Sequence, residues 1–214
     1  MALWLQRTRF WLYYWPRYVF QLPHLAFSLL LSRLTALGNY RGITICSFSL
    51  SNVPGSEFIT RTLEALQLVE RIDPRRFRRI QRQIRFILHA ELESGACYRR
   101  LGRFCLVDFN RYDFVKDHDW YLYCYASALV HEATHGAIYS ACVAHTKRNR
   151  LPIEKLCHTE ERRFMQNFDV PERAWSDQIP GVFDEQYYLK YFSANWLSRV
   201  RSRKKRISEV RKDA

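Results

Sequence analysis

The sequence contains few of the residues that interrupt regular structure. Only seven of its 214 residues are glycine and seven are proline, which excludes a fibrous or low-complexity chain. It has no internal repeat and no pair of cysteines at CxxC spacing. Its six cysteines are scattered, so the sequence predicts neither a disulfide framework nor a zinc knuckle, but mostly buried thiols in a reducing compartment.

The N-terminal region lacks an apolar run long enough to cross a bilayer. Its uncharged stretch, 18–32, contains Pro23 and His24 and is shorter than the roughly 20 residues that a membrane span needs. The residues before it interleave arginine with tryptophan and tyrosine, which is not the pattern of a signal peptide. We therefore expect a cytoplasmic protein, peripheral at a membrane if this segment lies at a bilayer surface.

Positive charge is what the sequence has in excess, with a formal net charge of +13. Basic residues concentrate in 75–85 and in 199–206. Such an excess is typical of a solvated basic surface, or of attraction to anionic lipid or nucleic acid. Because no recognition motif accompanies the basic segments, nucleic acid is only an alternative partner. Weak contact with an anionic membrane surface is the expectation that also suits the aromatic N-terminus.

Hydrophobic periodicity predicts an α+β domain. Apolar residues recur at helical spacing through 58–72, whereas residues 80–90 alternate as in a half-buried strand. Residues 96–101 and 103–109 indicate a hairpin about Gly102. The predicted order of the first elements is therefore helix, strand and hairpin.

The second half of the sequence is predicted to be helical. Residues 120–145 are nearly uncharged and apolar on all sides, which is typical of a buried central helix. A second helix is expected from about Pro152 to Val170, and a third over 184–200. The sequence thus divides into an aromatic and basic N-terminal extension, a central domain and a polybasic tail, namely 1–45, 46–198 and 199–214.

The most specific feature of the sequence is His131-Glu132-Ala133-Thr134-His135, an HExxH box within the predicted central helix. A helix places residues i and i+4 on one face, so His131 and His135 can bind one metal ion together. Glu132 is then positioned to accept a proton from a water that the metal activates. A catalytic zinc site usually has three protein ligands and one open position. The third ligand must therefore come from another element.

Two glutamates on the next predicted helix are candidates for this third ligand. Glu160 and Glu161 lie among the residues of its apolar stripe, where a carboxylate is costly to bury unless a cation compensates. They lie about equally far to either side of the stripe, and we favour Glu161 slightly while keeping both. The ordinary alternative is an ion pair with Lys155, Arg162 or Arg163 on the same helix.

The sequence Leu129–Gly136, followed by a glutamate on the next helix, resembles the gluzincin group of zinc metallopeptidases in its minimal single-domain form. The resemblance covers roughly residues 56–170. It implies a zincin-like fold, in which a helix and a small antiparallel sheet pack on a buried HExxH helix and on a following ligand helix. An extended peptide is expected to pair with the edge of the hairpin strand 103–109.

The resemblance also implies an activity, a zinc-dependent hydrolysis of peptide or other amide bonds in a peptide or protein substrate. The Zn²⁺ ligands it implies are His131, His135 and Glu161 (or Glu160), with Glu132 as the general base. A further group must stabilise the oxyanion of the tetrahedral intermediate. The candidates for this role or for supporting a metal ligand, chosen by residue type alone, are Tyr139, His158, Tyr187, Tyr188 and Tyr191.

Overall fold

The structure, a computed structural model, is an α+β domain, which confirms the predicted class. It describes 36–47, 55–90, 95–109, 118–146 and 148–168, and separate residues of the N-terminal region between 4 and 30. Within these described residues, no helix combines the length and the apolarity that crossing a membrane requires. The predicted helix over 184–200 and the polybasic tail lie outside the described residues.

The described residues from 36 to 168 form five strands and four helices. In chain order they are β1 (Ala36–Tyr40), β2 (Ile43–Cys46), α1 (Gly55–Ile72), α2 (Pro74–Gln83), β3 (Phe86–His89), β4 (Ala96–Arg99), β5 (Phe104–Val107), α3 (His118–Ser140) and α4 (Arg150–Met165). The described residues between 4 and 22 are also helical, and we call them the N-terminal helix. Because β1 begins at Ala36, the sheet starts inside the predicted N-terminal extension 1–45.

The sheet is mixed, so the predicted small antiparallel sheet is wrong. Its strand order is β1-β2-β3-β5-β4, with β2, β3 and β5 parallel and the two outer pairs antiparallel. The hairpin about Gly102 is confirmed, but β5 has a partner on both sides. The expectation that strand 103–109 offers a free edge is therefore wrong, because the terminal strands are β1 and β4. The order follows from burial, since Phe104, Cys105 and Val107 are buried whereas Arg99 of β4 is exposed.

The segment predicted as a strand from Ile80 onward is helical as far as Gln83. Asp73 starts this helix, because its carboxylate accepts a hydrogen bond from the Arg76 backbone N–H at 2.9 Å, and Pro74 occupies the first turn. The strand is limited to β3, which is buried along its whole length instead of on one face. Apolar residues four positions apart, such as Ile80 and Ile84, fit a helix as well as a strand, and here the capping residues decide.

The predicted central helix is confirmed as α3, although it ends at Ser140 instead of His145. It packs against α1, α2, α4 and β4, and its core side chains include the fully buried Tyr125 and Leu129. A Schellman turn ends it: Cys142 has a φ of +58°, and the N–H of Val143 donates to the Ile138 carbonyl at 3.2 Å. The helix therefore stops soon after the HExxH box.

Gly136, which directly follows the HExxH box, allows α3 to pack closely on its neighbours. A Cβ at this position would lie 2.6 Å from Gln83 Cβ and 3.1 Å from Tyr98 Cζ. The sequence predicts that another backbone lies close to Gly136. The structure shows instead that the close neighbours are side chains of α2 and β4. These contacts hold the HExxH box against β4.

Candidate metal centre

Helices α3 and α4 form an antiparallel pair that buries several ionisable side chains. Four glutamates are each less than one-tenth exposed, although carboxylates are almost never fully buried unless they are paired. Those four are Glu132, Glu154, Glu160 and Glu161. Each needs a compensating partner, and their partners separate them into different roles.

Three side chains of this pair converge on one point. The Nε2 atoms of His131 and His135 lie 3.2 Å apart, and Glu154 Oε2 lies 3.6 Å from the first and 3.5 Å from the second. A tetrahedral zinc ion with bonds of about 2.0–2.2 Å holds its ligand atoms about 3.3–3.6 Å apart. Two imidazoles and one carboxylate at this spacing therefore fit such an ion. The sequence did not point to Glu154 as a ligand.

Further potential ligands surround these three residues. Cys157, His158 and His145 each belong to a group with one or both of the HExxH histidines, in which the ligand atoms lie within 4.8 Å of one another. Burial raises the pKa of the Cys157 thiol well above its usual range, with the nearby Glu154 adding to the effect. Without a metal ion beside it, Cys157 is therefore a neutral thiol, but a coordinated thiol loses its proton, so Cys157 stays a further candidate ligand.

Glu161 contacts the far side of the first histidine. Its Oε2 lies 3.1 Å from His131 Nδ1 and 3.0 Å from His158 Nδ1, and its Oε1 accepts a hydrogen bond from Ser127 Oγ at 3.2 Å. Burial by itself would raise the pKa of Glu161, but the hydrogen bonds with the two histidines outweigh it and lower the pKa to about 2. A charged acceptor at Nδ1 fixes the proton there and leaves His131 Nε2 free to bind a metal.

His145 has the corresponding place beside the second histidine. Its Nε2 lies 3.3 Å from His135 Nδ1, and its backbone N–H donates to the Tyr14 hydroxyl at 2.9 Å. Burial, followed by the nearby His135, lowers the pKa of His145 to about 4. A neutral His145 can accept the Nδ1 proton of His135, which orients that ring as Glu161 orients His131. The sequence alone gave His145 no role.

Glu160 is held by arginines instead of histidines. Its carboxylate accepts hydrogen bonds from Arg79 at 2.9 Å, Arg163 at 2.8 Å and Arg76 at 3.4 Å. Burial would raise the pKa of Glu160, but the bonds from Arg163 and Arg79 lower it overall. Only the bond from Arg163 is the same-helix ion pair that was the ordinary alternative, whereas Arg76 and Arg79 come from α2. Of the two predicted third ligands, Glu161 contacts Nδ1 of His131, and the position facing both Nε2 atoms belongs to Glu154.

Glu132, the predicted general base, is buried on α3 near the hairpin strands. Burial, with the Glu132 charge next in size, raises the pKa of the Cys97 thiol to about 11. The same two causes, in the same order, raise the pKa of Cys105. Glu132 is therefore close to β4 and β5, and it follows His131 directly in the chain.

The structure describes two of the residues predicted to stabilise the oxyanion or support a ligand. Tyr139 stacks on His145 with ring centroids 4.8 Å apart, and burial raises its pKa well above the usual range, so it stays a hydrogen-bond donor. His158 is engaged with Glu161. The other candidates, Tyr187, Tyr188 and Tyr191, lie outside the described residues.

The basic segment 75–85 is partly used inside the fold. Arg76 and Arg79 reach Glu160, and Arg79 also donates to the Thr134 hydroxyl within the HExxH box at 3.1 Å. Its other arginines are exposed, namely Arg75, Arg78, Arg82 and Arg85. Part of the charge that suggested nucleic acid thus stabilises the buried acidic helix pair.

Comparisons of the chain with protein-family models, with curated proteins and with solved structures find no match. The arrangement of ligand atoms on α3 and α4 is therefore the basis on which the chemistry of the site is inferred. That arrangement combines a three-ligand face, one orienting group for each histidine and an adjacent buried carboxylate.

Proposed function

We propose that the protein is a zinc-dependent hydrolase of peptide or other amide bonds. The observation that carries the proposal is the triangle of His131, His135 and Glu154 ligand atoms at the spacing of a tetrahedral ion. A zinc ion bound there would supply Lewis acidity, which polarises a carbonyl and lowers the pKa of water toward about 7. In this proposal Glu154 takes the place that the resemblance to gluzincins gave to Glu161 or Glu160.

The other residues of the site have complementary tasks. Glu132 accepts a proton from the attacking water and delivers it to the leaving amine. Glu161 and His145 keep the two ligand imidazoles in the tautomer that presents Nε2. Arg79 bridges Thr134 and Glu160, which fixes α3 and α4 relative to α2. The side chains that position the site therefore come from α2, α3 and α4.

A peptide is the substrate class that the neighbouring sheet favours. Strand β4 is one of the two terminal strands of the described sheet, and it packs against α3. Tyr98 of β4 lies 3.1 Å from where a Cβ at Gly136 would be, so this strand runs beside the end of the HExxH box. An extended chain that pairs with β4 would pass the general base, as expected for recognition by strand addition.

We extend the proposal to the fold and the compartment. A sheet, an HExxH helix and a following helix with a ligand glutamate are together the parts of a zincin-like, gluzincin-type domain. All six cysteines are thiols with no disulfide among them, which supports a reducing compartment such as the cytoplasm.

Metal analysis of matched variants tests the ligand assignment. Purified wild-type protein should contain about one zinc per chain, and Glu154→Gln should lose it. Glu160→Gln changes a carboxylate of equal burial on the same helix and should keep the zinc. Equal zinc content in the two variants would contradict the assignment of Glu154.

Activity measurements separate a catalytic metal from a structural one. Glu132→Gln should keep the zinc and should lose about 10²–10⁴-fold in hydrolysis of a mixed peptide library. A purely structural metal predicts a different outcome, in which wild type and Glu132→Gln hydrolyse the library equally or not at all. That outcome would reject the hydrolase and leave the metal site standing.

A further inference from the structure

The N-terminal helix exposes a set of large apolar side chains. Trp4 is 68% exposed, Leu12 72% and Trp15 64%. Among the described residues, every exposed large hydrophobic side chain except Leu156 lies between residues 4 and 30. Soluble domains rarely concentrate such side chains in one place, and a concentration of this kind marks an interaction surface.

These side chains form one continuous strip. At 3.6 residues per turn, Trp4, Trp11 and Trp15 project in nearly the same direction, with Leu12 beside them, so that the set spans an arc of about 100°. Trp4, Trp11, Leu12 and Trp15 also line one shallow concavity, with Arg7 at its border. We call this set the tryptophan strip.

The opposite face of the same helix is anchored to the domain. Phe10 and Tyr14 are buried there, and the Arg100 guanidinium lies 4.1 Å from the centre of the Phe10 ring. Tyr14 accepts the backbone hydrogen bond of His145, and its ring lies 5.8 Å from that of Tyr139. The inner face thus has specific partners, and the tryptophan strip is the face left toward solvent.

We propose that the tryptophan strip is a docking surface for an anionic bilayer. Tryptophan rings prefer the membrane–water interface, where the ring is buried and its N–H stays hydrated. Arg7 lines the same concavity as these tryptophans, and the whole chain carries a net charge of +13. Apolar contact and neighbouring positive charge are the two signals that hold an interfacial helix on anionic lipid.

Docking of this helix would also orient the candidate metal centre. His145 contacts Tyr14 on the helix and His135 in the HExxH box, so the helix adjoins the wall of the site. The site would then act on substrates that reach the bilayer surface. This extension rests on the proposed function, whereas docking itself does not.

Vesicle flotation of the full chain tests the docking surface. We expect binding to vesicles of phosphatidylcholine with phosphatidylserine, and much weaker binding to phosphatidylcholine alone. Replacing Trp4, Trp11 and Trp15 together by serine should lower the partition coefficient at least about a hundredfold. Leu12→Ala and Leu156→Ala form a matched pair of exposed leucines, and only the first should weaken binding.

Each result decides the proposal. Equal flotation of the triple variant and wild type, or equal loss in the two leucine variants, would overturn the tryptophan strip as the docking surface. Equal binding to neutral and anionic vesicles would overturn the choice of anionic lipid. If wild type ignores vesicles but sediments as a dimer that the triple variant loses, the strip binds a second copy and the membrane proposal fails. Unchanged zinc content and far-ultraviolet circular dichroism identify variants that remain folded, and flotation is independent of hydrolysis.

Discussion

The helix pair α3–α4 and the N-terminal helix both differ from the usual distribution of side chains in a soluble domain, but in opposite ways. The pair buries ionisable side chains, among them Glu154, Glu161 and His135, whereas the N-terminal helix exposes Trp4 and Trp15. Neither arrangement is favourable for an isolated domain in water, because buried charge and exposed apolar surface both cost free energy. Each becomes favourable when a specific partner is present, a cation in the first region and an apolar phase in the second.

The two regions differ in how far contacts within the protein offset these free-energy costs. Glu161 has three hydrogen-bond partners within the protein, so most of the cost of its burial is offset before any metal binds. The indole rings of Trp4 and Trp15 have no such compensation from burial. We therefore expect the helix pair to be rigid and selective, and the tryptophan strip to bind more weakly and more generally. The following predictions test this contrast.

The largest effect should come from metal removal. Zinc at about 100–1000 times its dissociation constant should stabilise the chelator-treated protein by about 3–4 kcal/mol, which corresponds to an increase in Tm of about 5–15 °C. The triple tryptophan variant should show the same increase, because the strip lies outside the ligand triangle. Thermal unfolding with and without zinc measures it. The same increase in Glu154→Gln would contradict the proposed site.

Glu161→Gln should weaken zinc binding without removing the ligands. Loss of the charged acceptor at His131 Nδ1 is expected to raise the zinc dissociation constant about 10–100-fold. A chelator competition titration measures the change, and Glu160→Gln is the control because its carboxylate contacts arginines. Vesicle binding should stay at the wild-type value. An unchanged dissociation constant would mean that Glu161 does not orient His131.

Gly136→Ala should destabilise the fold although alanine is the better helix former. The gain in helix propensity is about 1 kcal/mol, but the new methyl group would meet Gln83 and Tyr98, and overpacking of this kind costs about 1–3 kcal/mol. Denaturant unfolding should show a net loss of stability. Adding Gln83→Gly removes one of the contacts and should restore part of the loss. A higher free energy of unfolding in Gly136→Ala would show that α2 can shift to make room for the methyl group at little cost.

Tyr14→Phe tests the contact between the two regions. It keeps the aromatic ring against Tyr139 but removes the acceptor of the His145 backbone N–H, with an expected cost of about 1 kcal/mol. Hydrogen exchange at the His145 amide should accelerate accordingly. Vesicle binding should not change, because Tyr14 faces inward. Unchanged exchange would show that this hydrogen bond does not hold the helix to the site.

Trp15→Ala should have the smallest effect on folding. A side chain exposed to this degree contributes within about 0.5 kcal/mol to the free energy of unfolding, and denaturant unfolding measures it. The same substitution should reduce flotation with anionic vesicles. A loss of stability well above this value would show that Trp15 packs against the domain instead of a bilayer.

Local features of the sequence were sufficient to predict α3, the hairpin and the convergence of the two HExxH histidines. Uniform apolarity indicates a buried helix whatever its neighbours are, and the i, i+4 spacing of His131 and His135 is a property of one helix. Gly102 has a φ of +80°, as a tight hairpin turn favours. Each of these features depends mainly on a short segment, which is why the sequence alone could indicate it.

The third ligand and the strand order depend on contacts between distant segments. Choosing among Glu154, Glu160 and Glu161 requires knowing how α4 lies on α3, and the arginines that hold Glu160 come from α2. One signal was present in the sequence. In an antiparallel helix pair, residues at similar distances from the connecting loop face each other, and this relation pairs His135 with Glu154. No short segment of the sequence indicates that β3 pairs with β5 in parallel, because this contact joins segments far apart in the chain.

The path from Tyr14 through His145 to His135 has a thermodynamic consequence. If a bilayer shifts the position of the N-terminal helix and thereby changes zinc affinity by some factor, zinc must change the affinity for that bilayer by the same factor. Zinc binding would then depend on whether the protein is at the bilayer, and binding to the bilayer would depend on whether zinc is bound. A chain away from the surface could release its metal more readily, so that the two equilibria together would confine a loaded site to one place in the cell.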